Sequence, residues 1–416
     1  MKLFVESHSC LMEIFERKTP FKLAIDNIAS KKTFLNENRK NLTNIVGCAL
    51  RHFYIFDCLI SQLQKDFSLE QKVALNLFLA NHLFVTVIED KEIREQLEKY
   101  RIDLKDVEKL KELSTDKSKL IPEKYTNDSI EYLHFRYNIP EWVLKMWMKH
   151  FKGYTYKIVR TINRPSNHYS IINKSLITKE ELENKYPEFK KTTFDGLYLY
   201  EGNIAPKRHP LYKEGKVVSI SPAEFYLLSK LDLDVIRNIA LYSECYNTLH
   251  LQLMSLLSNR YQMDVISGAS ESFFSVKKDI ETYKLNNVRI YETGHSSIIT
   301  CLSNKVGNFF VMPKSSNFAE FRKSPDYFNR LNQDDLDDFI ANQSASLLSA
   351  ADFVEDNGNL IYIVPTMDKK ESVQISEEFL KNRKDFVLVE QKQFLPFDKY
   401  DSTLFIAIFR KEVRND

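Results

Sequence analysis

The sequence predicts three structural parts: a helical bundle, a small α+β domain and a C-terminal α/β domain with a mostly parallel sheet. Apolar residues recur at spacings of three and four before residue 120, short mixed elements follow between 155 and 215, and strand-like and helix-like segments alternate from Ser219 onward. A chain of 416 residues has room for all three parts, because domains usually contain about 100 to 200 residues. We place the parts at residues 1–138, 139–215 and 216–416.

The first part is expected to be all helical. Residues 44–60 and 69–88 carry apolar side chains at helical spacing. Residues 73–88 are the most apolar stretch, but polar side chains interrupt it and it is shorter than the roughly 20 apolar residues that span a bilayer. We therefore expect a buried helix there and no membrane partner. The charge-dense residues 89–119 predict one or two solvent-facing helices.

Signals in the middle part are short and mixed. Pro140 predicts the start of a helix, because proline is favoured in the first helical turn. A capping-box pattern predicts another helix at 178–185, and residues 156–162 and 197–200 are further short elements. Together they predict a small α+β unit.

Strand signals dominate the last part and alternate with helical segments. This alternation is typical of a mostly parallel sheet that is covered on both faces. The candidate strands are residues 235–239, 264–267, 288–291, 309–312, 360–364, 386–390 and 404–410.

Glycine is unusually scarce. The chain has nine glycines in 416 residues, and no two of them form a GxG pattern. A glycine-rich loop that cradles phosphate groups is therefore not expected.

The net charge of +2 hides an uneven distribution along the chain. Residues 151–215 carry twelve basic and seven acidic side chains, whereas residues 216–416 carry 23 basic and 28 acidic ones. The middle part is therefore the one that favours an anionic partner.

The five cysteines form no CxxC pair, and charged residues interrupt the opening stretch, so we expect no signal peptide and a cytoplasmic setting. Cys245 with His250, and His295 with Cys301, are the pairs that resemble metal ligands. Two isolated pairs without third and fourth ligands indicate ordinary packing, so we expect no metal site.

Basic and aromatic residues are interleaved in the segment 147–164. Lysine and arginine neutralise phosphates, and exposed aromatic rings stack on unpaired bases. The alternative is that the aromatic side chains pack a domain core. The predicted RNA contacts in this segment and in the nearby basic cluster are Lys149, Lys152, Lys157, Arg160, Arg164, Lys207 and Arg208.

Several short motifs follow one another in a defined order along the chain. They are 44–51, Pro140-Glu141-Trp142, Asn173, Gly215, Pro313, Ser315, Pro325-Asp326, Gln343 and Gly358. In order and spacing they resemble the RsmB (Sun) family of bacterial ribosomal RNA cytosine 5-methyltransferases over nearly the whole length. The resemblance implies a NusB-like helical domain, a small α+β domain and a Rossmann-like class I methyltransferase domain.

NusB-like helices resemble an RNA-binding module, so the resemblance adds a second basic patch. This patch comprises Lys31, Lys32, Arg39, Lys40, Arg51 and His52, and Arg51 is the contact that we predict from it. The alternative for these residues is an ordinary solvated helix face.

The family transfers a methyl group from S-adenosylmethionine to carbon 5 of cytosine with the help of two cysteines. One thiolate adds to the base and the second cysteine assists elimination. In this chain the nucleophile position falls at Pro365 and the second cysteine at Lys314, while Val311 replaces the aspartate that would contact the base. The family's catalytic pair is therefore missing, and whether the chain is an enzyme is open.

The cofactor motifs are equally altered. The family's glycine-containing loop corresponds to Leu241, Tyr242, Ser243, Glu244 and Cys245. The ribose-binding carboxylate falls near Ala269 and the adenine-side aspartate near Gly294, with Asp264 or Glu271 as possible substitutes for the ribose carboxylate. We expect no cofactor, and S-adenosylmethionine only if the chain is an enzyme.

Lys314 itself has two interpretations. A buried lysine with a lowered pKa would be a relocated catalytic amine. A lysine that fills a vacant pocket or points to solvent beside RNA would have no chemical role. We expect the second.

Three functions are consistent with these patterns. The first is a monomeric, RNA-binding, ribosomal-RNA-associated pseudoenzyme. The second is an active RNA methyltransferase with a rearranged site. The third is a scaffold whose NusB-like bundle docks a protein partner in transcription or ribosome assembly.

Overall fold

A computed structural model describes residues 3–30, 36–117, 120–231, 238–257, 261–293 and 299–413. The chain forms two compact units. The helical unit comprises residues 1–164 with 320–333, and the α/β unit comprises residues 165–319 with 334–416. The division into three domains at residues 138 and 215 stays a prediction, because one compact unit can contain more than one domain.

The helices are numbered in chain order. They are α1 (Leu3–Arg17), α2 (Phe21–Ser30), α3 (Asn36–Arg51), α4 (Phe53–Ser61), α5 (Leu69–Leu83), α6 (Asp90–Lys99), α7 (Leu104–Leu113), α8 (Ile130–Tyr137), α9 (Glu141–Phe151), α10 (Thr155–Ile162), α11 (Lys179–Lys185), α12 (Pro210–Lys213), α13 (Pro222–Ser229), α14 (Leu249–Leu257), α15 (Ser270–Thr282), α16 (Tyr327–Arg330), α17 (Asp335–Ala351) and α18 (Val373–Asn382). Short 3-10 helices lie at Lys152–Tyr154, Pro206–Arg208 and Phe318–Arg322.

The strands form two separate sheets. They are β1 (His168–Ile172), β2 (Phe189–Lys191), β3 (Tyr198–Tyr200), β4 (Val217–Ser219), β5 (Ile239–Ser243), β6 (Met263–Ser267), β7 (Val288–Glu292), β8 (Val306–Met312), β9 (Val354–Val364), β10 (Phe386–Gln393) and β11 (Phe405–Lys411).

The helical unit packs around α5. Apolar and small side chains on every face of this helix are buried, as expected for a helix at the centre of a bundle. The prediction of a buried helix here is confirmed. No helix in the described ranges has both the length and the apolar character needed to cross a bilayer.

The segment 320–333 completes the helical unit. Asp326 is fully buried, and its Oδ2 accepts hydrogen bonds from the Phe21 amide at 2.9 Å and from Arg330 Nε at 2.5 Å. A carboxylate at the start of α2 satisfies a free helix amide and interacts favourably with the helix dipole. Lys18 also donates to the Asn329 carbonyl at 2.9 Å. Polar contacts to a distant part of the chain therefore fix the α1–α2 junction.

The α/β unit contains the small antiparallel sheet, in the order β2-β3-β1-β4. Asn173 follows β1, is buried, and donates to the Gly215 carbonyl at 3.1 Å. Gly215 has φ +70°, and a Cβ there would lie 2.8 Å from the Tyr283 ring. Only glycine fits this turn without strain.

The large sheet of the α/β unit has seven strands in the order β10-β11-β9-β8-β5-β6-β7. The five neighbouring strands β9, β8, β5, β6 and β7 are parallel to one another. Strand β11 runs antiparallel to both of its neighbours, β10 and β9. Six of the predicted strands overlap these elements. The predicted strand at 235–239 reaches the described residues only at its end, because β5 begins at Ile239 and residues 235–237 lie outside the described ranges.

Both faces of the large sheet are buried. Leu241, Val265 and Phe310 face one core with α13, α14 and α15, while Tyr242 and Val311 face a second core with α17 and α18. Alternate residues of the same strands thus enter different cores. The predicted sheet, mostly parallel and covered on both faces, is confirmed.

Asn138 joins three helices of the helical unit. It lies at the end of α8 with φ 54°, is buried, donates to the Leu50 carbonyl at 2.8 Å and accepts from the Tyr54 amide at 3.1 Å. Asparagine tolerates this left-handed backbone better than most residues. The side chain therefore links α8 to the junction of α3 and α4.

We expect Asn138→Ala to destabilise the helical unit by about 2–4 kcal/mol, because it adds backbone strain and leaves two buried backbone groups without partners. Asn138→Gly relieves the strain and should cost less. Amide hydrogen exchange of α3, α4 and α8 measures the local free energy of opening in a two-unit protein. Unchanged exchange in both variants would contradict this role.

Candidate functional site

The parallel strands of the large sheet end at one edge, which we call the carboxyl edge. In open α/β sheets, ligands bind at the carboxyl ends of the strands. The residues that follow the five parallel strands are Glu244 after β5, Gly268 after β6, Thr293 after β7, Pro313 after β8 and Pro365 after β9. These positions are where a cofactor and a reacting base would be held.

The side chain of Glu244 lies across this edge. Its Oε2 accepts a hydrogen bond from the Lys314 amide at 2.8 Å, and its Oε1 accepts one from Asn342 Nδ2 at 2.9 Å. The residue is only 8% exposed. One carboxylate therefore ties the end of β5 to the segment after β8 and to α17.

Glu244 also fills the gap between the ends of β5 and β6. A Cβ placed on Gly268 would lie 2.7 Å from Glu244 Cγ and 3.2 Å from the Tyr242 hydroxyl. A Cβ contact of 2.7 Å is shorter than real ones, so Gly268 provides the room that the Glu244 side chain takes. The protein itself occupies the space between these two strand ends.

The connection from β5 to α14 is closed by its own hydrogen bonds. Leu241, Tyr242 and Ser243, which the sequence places in a cofactor loop, belong to β5, and the loop starts at Glu244. Each of the three pairs with neighbouring strands on both sides, which extends β5 beyond the predicted end. Asn247 Nδ2 donates to Ser243 Oγ at 2.6 Å, and its Oδ1 accepts from the Leu249 amide at 3.0 Å.

The residues present do not fit S-adenosylmethionine. The loop after β5 has no glycine to let backbone amides approach the cofactor, and a buried carboxylate occupies its space. Asp264 lies near the start of β6 and pairs with Arg289 at 2.7 Å, so it is not at the carboxyl edge. Glu271 is at this edge but exposed, and Gly294 lies outside the described residues.

Neither of the two positions that correspond to the family cysteines carries a thiol. Lys314 is exposed, with Nζ 5.3 Å from the Phe339 ring, and its backbone contacts Glu244 and Gln343. Pro365 is half-buried after β9. Cys245 is nearby, but desolvation and then the Glu244 carboxylate raise the pKa of its thiol, so the thiolate is disfavoured.

A buried polar network lies beneath these positions and was missed by the sequence analysis. Glu371 is fully buried and accepts hydrogen bonds from the Ser316 amide at 2.8 Å, Gln343 Nε2 at 2.9 Å and Thr366 Oγ1 at 2.6 Å. Burial raises the pKa of Glu371, and the donors partly offset that effect. No local motif marks Glu371, because two of its three partners, Ser316 and Gln343, come from distant segments.

Cys245 and His250 are the one predicted ligand pair that lies wholly within the described residues. His250 Nε2 lies 3.1 Å from Asp279 Oδ2, and Tyr246 donates to the same carboxylate at 2.7 Å. His295 lies outside the described residues. In the part of the chain that the structure describes, no group of three or more metal-binding side chains comes together.

A second candidate site lies on α9 and α10 of the helical unit. No acidic residue occurs between Glu141 and Glu180. Lys149, Lys152, Lys157, Arg160 and Arg164 are all exposed. Trp147 is fully buried, so this member of the aromatic set packs the core and does not face solvent.

Two further cations extend this surface. Arg51 ends α3 and Arg136 lies in α8, which packs against both α4 and α10. Burial, followed by the charges of Arg51 and Arg136, lowers the pKa of His52 to about 4. The basic helical surface therefore comprises Arg51, Arg136, Lys149, Lys152, Lys157, Arg160 and Arg164.

The remaining predicted cations belong elsewhere. Lys207 and Arg208 are exposed in a short 3-10 helix of the α/β unit. Lys31 and Lys32 lie outside the described residues, and Arg39 forms an ion pair with Asp26. Among the described residues of the second predicted patch, Arg51 is the one that we assign to the basic helical surface, through its effect on His52.

Comparison with known proteins identifies the fold class. No protein-family model matches the chain, and a search of curated proteins gives no match. Among solved structures, PH0851 is similar over 98% of both chains at 15% sequence identity, with a TM-score of 0.73.

Two further structures from Pyrococcus horikoshii are similar to the chain. A methyltransferase homolog protein has 14% identity and a TM-score of 0.59, covering 69% of this chain and all of its own. NSun6, solved with SFG, has 13% identity and a TM-score of 0.54, covering 66% of this chain and 99% of its own. At these identities the likeness establishes the fold alone, which is of the methyltransferase type.

We expect Glu244→Ala to destabilise the α/β unit by about 2–4 kcal/mol, because the Lys314 amide and the Asn342 side chain lose a charged acceptor in a buried place. Glu271→Ala removes an exposed carboxylate from the same edge and should change stability by less than about 0.5 kcal/mol. Urea denaturation followed by circular dichroism compares the two variants. Equal stabilities would show that Glu244 does not bridge this edge.

The raised pKa of Glu371 predicts a pH dependence of stability. A carboxyl group with a raised folded-state pKa contributes stability below its ordinary value of 4.5 and loses that contribution as pH rises through the folded-state value. The wild-type protein should therefore lose stability relative to Glu371→Gln as pH increases above 4.5. Thermal melts across this range test the trend, with the exposed Glu377→Gln as control. A constant difference between wild type and Glu371→Gln would contradict it.

Proposed function

We propose that the chain is an RNA-binding protein with a methyltransferase fold that does not transfer methyl groups. The observation that carries the proposal is the basic helical surface, where a long segment without acidic residues presents exposed lysines and arginines. Such surfaces bind phosphate backbones by displacing condensed counterions. This chemistry and the methyltransferase fold support RNA as the ligand.

The closed carboxyl edge supports the second half of the proposal. Methyl transfer needs a bound methyl donor and a nucleophile next to the base. Glu244 takes the place of the donor, and Lys314 and Pro365 stand where thiols would be needed. The exposed position of Lys314 supports a non-catalytic role for its amine, because a catalytic amine needs a desolvated pocket to lower its pKa.

The finer assignments are also part of this proposal. The chain would be a degenerate relative of the RsmB (Sun) family, with a NusB-like domain at 1–138, a small α+β domain at 139–215 and a Rossmann-like domain at 216–416. It would act as a cytoplasmic monomer, and its RNA would be ribosomal. Lys207 and Arg208 would add phosphate contacts from the α/β unit.

The basic helical surface is expected to bind RNA with a strong dependence on salt. For a single strand, log K falls with log salt by roughly 0.7 per phosphate contact. Removing three cations in Lys149→Ala/Arg160→Ala/Arg164→Ala should therefore weaken binding and reduce the slope by about 2. Fluorescence anisotropy with a labelled 20-nucleotide RNA at several salt concentrations measures both quantities.

Lys145→Ala is the matched control for this triple variant. Lys145 lies in α9, the helix that carries Lys149. Its ammonium pairs with Glu141 at 2.9 Å, so its charge is already offset. We expect this variant to bind nearly as wild type does. Weak RNA retention that does not depend on salt would contradict the proposal and favour a protein-docking scaffold. Incorporation of labelled methyl groups from S-adenosylmethionine into RNA would contradict it in favour of an active enzyme.

A further inference from the structure

The junction of α9 and α10 has an unusual backbone. Lys152 follows α9 with φ 49° and ψ −124°, a backbone conformation that residues other than glycine rarely adopt. A short 3-10 helix, Lys152–Tyr154, then leads into α10. Strained residues of this kind cluster at binding and functional sites.

This turn presents an aromatic ring to solvent. Tyr154 is 55% exposed, and a Cβ on the neighbouring Gly153 would meet no atom within 4 Å. Lys157 Nζ lies 5.6 Å from the centre of the Tyr154 ring, which places a cation beside the exposed aromatic.

The neighbouring aromatic residues of the segment have other roles. Trp147 is buried in the helical unit, and Tyr156 is half-buried and hydrogen-bonds the Tyr137 hydroxyl. Tyr154 thus differs from both in facing solvent on a surface of lysines and arginines. Packing explains Trp147 and Tyr156 but gives no reason for the exposure of Tyr154.

We infer that Tyr154 is a stacking platform for an unpaired RNA base, and that the ligand of the basic helical surface is single-stranded or looped RNA. This inference rests on the proposed function, because it names the class of RNA bound at the same surface. Phosphate contacts alone do not distinguish single strands from duplexes. An exposed aromatic ring does, because a base inside a duplex is already stacked on both faces by its neighbouring base pairs.

The charges and the ring have separable energetic signatures. Stacking of one base on an aromatic side chain contributes about 1–3 kcal/mol and does not release counterions. Removing the ring should therefore weaken single-strand binding without changing the salt dependence. Removing a lysine changes both.

The test compares two RNAs of the same sequence, a labelled 20-nucleotide single strand and its blunt duplex. We expect Tyr154→Ala to weaken binding of the single strand by about 5-fold or more, with an unchanged salt slope and unchanged duplex binding. Tyr154→Phe should bind within about 2-fold of wild type, because it keeps the ring. Tyr154→Leu keeps apolar area without the ring and should behave like Tyr154→Ala.

A 2-aminopurine base in the single strand gives a second readout, because stacking quenches its fluorescence. Wild type and Tyr154→Phe should quench it at saturation more than Tyr154→Ala does. Equal single-strand affinity and equal quenching in wild type and Tyr154→Ala would overturn the inference, as would equal losses on single strand and duplex. These outcomes leave the proposed function standing, whereas failure of the wild-type chain to bind either RNA would reject the proposed function itself.

Discussion

The contact of Glu244 with the Lys314 amide and the Asn342 side chain determines what this fold can do. Five parallel strands converge on the carboxyl edge, where a methyltransferase fold would leave room for a ligand. Here the carboxylate of Glu244, the first residue after β5, spans that room and accepts hydrogen bonds from the segment after β8 and from α17. The Glu244 side chain also takes the room beside Gly268, and the side chain of Lys314 is exposed.

The framework residues shared with the RsmB (Sun) pattern have structural uses that do not require catalysis. Gln343 donates to the Lys314 carbonyl and to Glu371, and Asp326 caps α2 from a distant part of the chain. Asn173 donates to the carbonyl of Gly215, whose backbone requires glycine. These contacts stabilise the fold whether or not the chain transfers methyl groups. Their presence is therefore compatible with the absence of both cysteines.

Patterns local in the sequence predicted most of the fold. The spacing of apolar residues predicted helices at 44–60 and 69–88, where α3, α4 and α5 lie. Apolar runs located six of the seven strands of the large sheet, because burial imposes a period on the sequence. The end of β5 was misplaced, because the parallel strand is fully buried and its last residues, Tyr242 and Ser243, are polar. A polar strand end looks like the start of a loop.

The candidate sites were harder to derive, because they depend on contacts between distant segments. The absence of glycine in the loop after β5 predicted a damaged ligand site, but nothing local predicted that Glu244 would reach across to Lys314. Glu371 has partners at Ser316, Gln343 and Thr366, and no motif relates these positions. The basic helical surface was partly predicted, because most of its cations lie close together in the sequence between residues 149 and 164. Arg136 is distant from them in the sequence and joins the surface only through folding.

Titration calorimetry of S-adenosylmethionine into the full chain tests the central claim most directly. If Glu244 and its donors occupy the cofactor space, no saturable heat should appear at millimolar ligand, either with the chain alone or with the chain bound to RNA. Saturable binding with micromolar affinity would contradict the account, because the ligand cannot bind at the carboxyl edge while Glu244 holds the Lys314 amide.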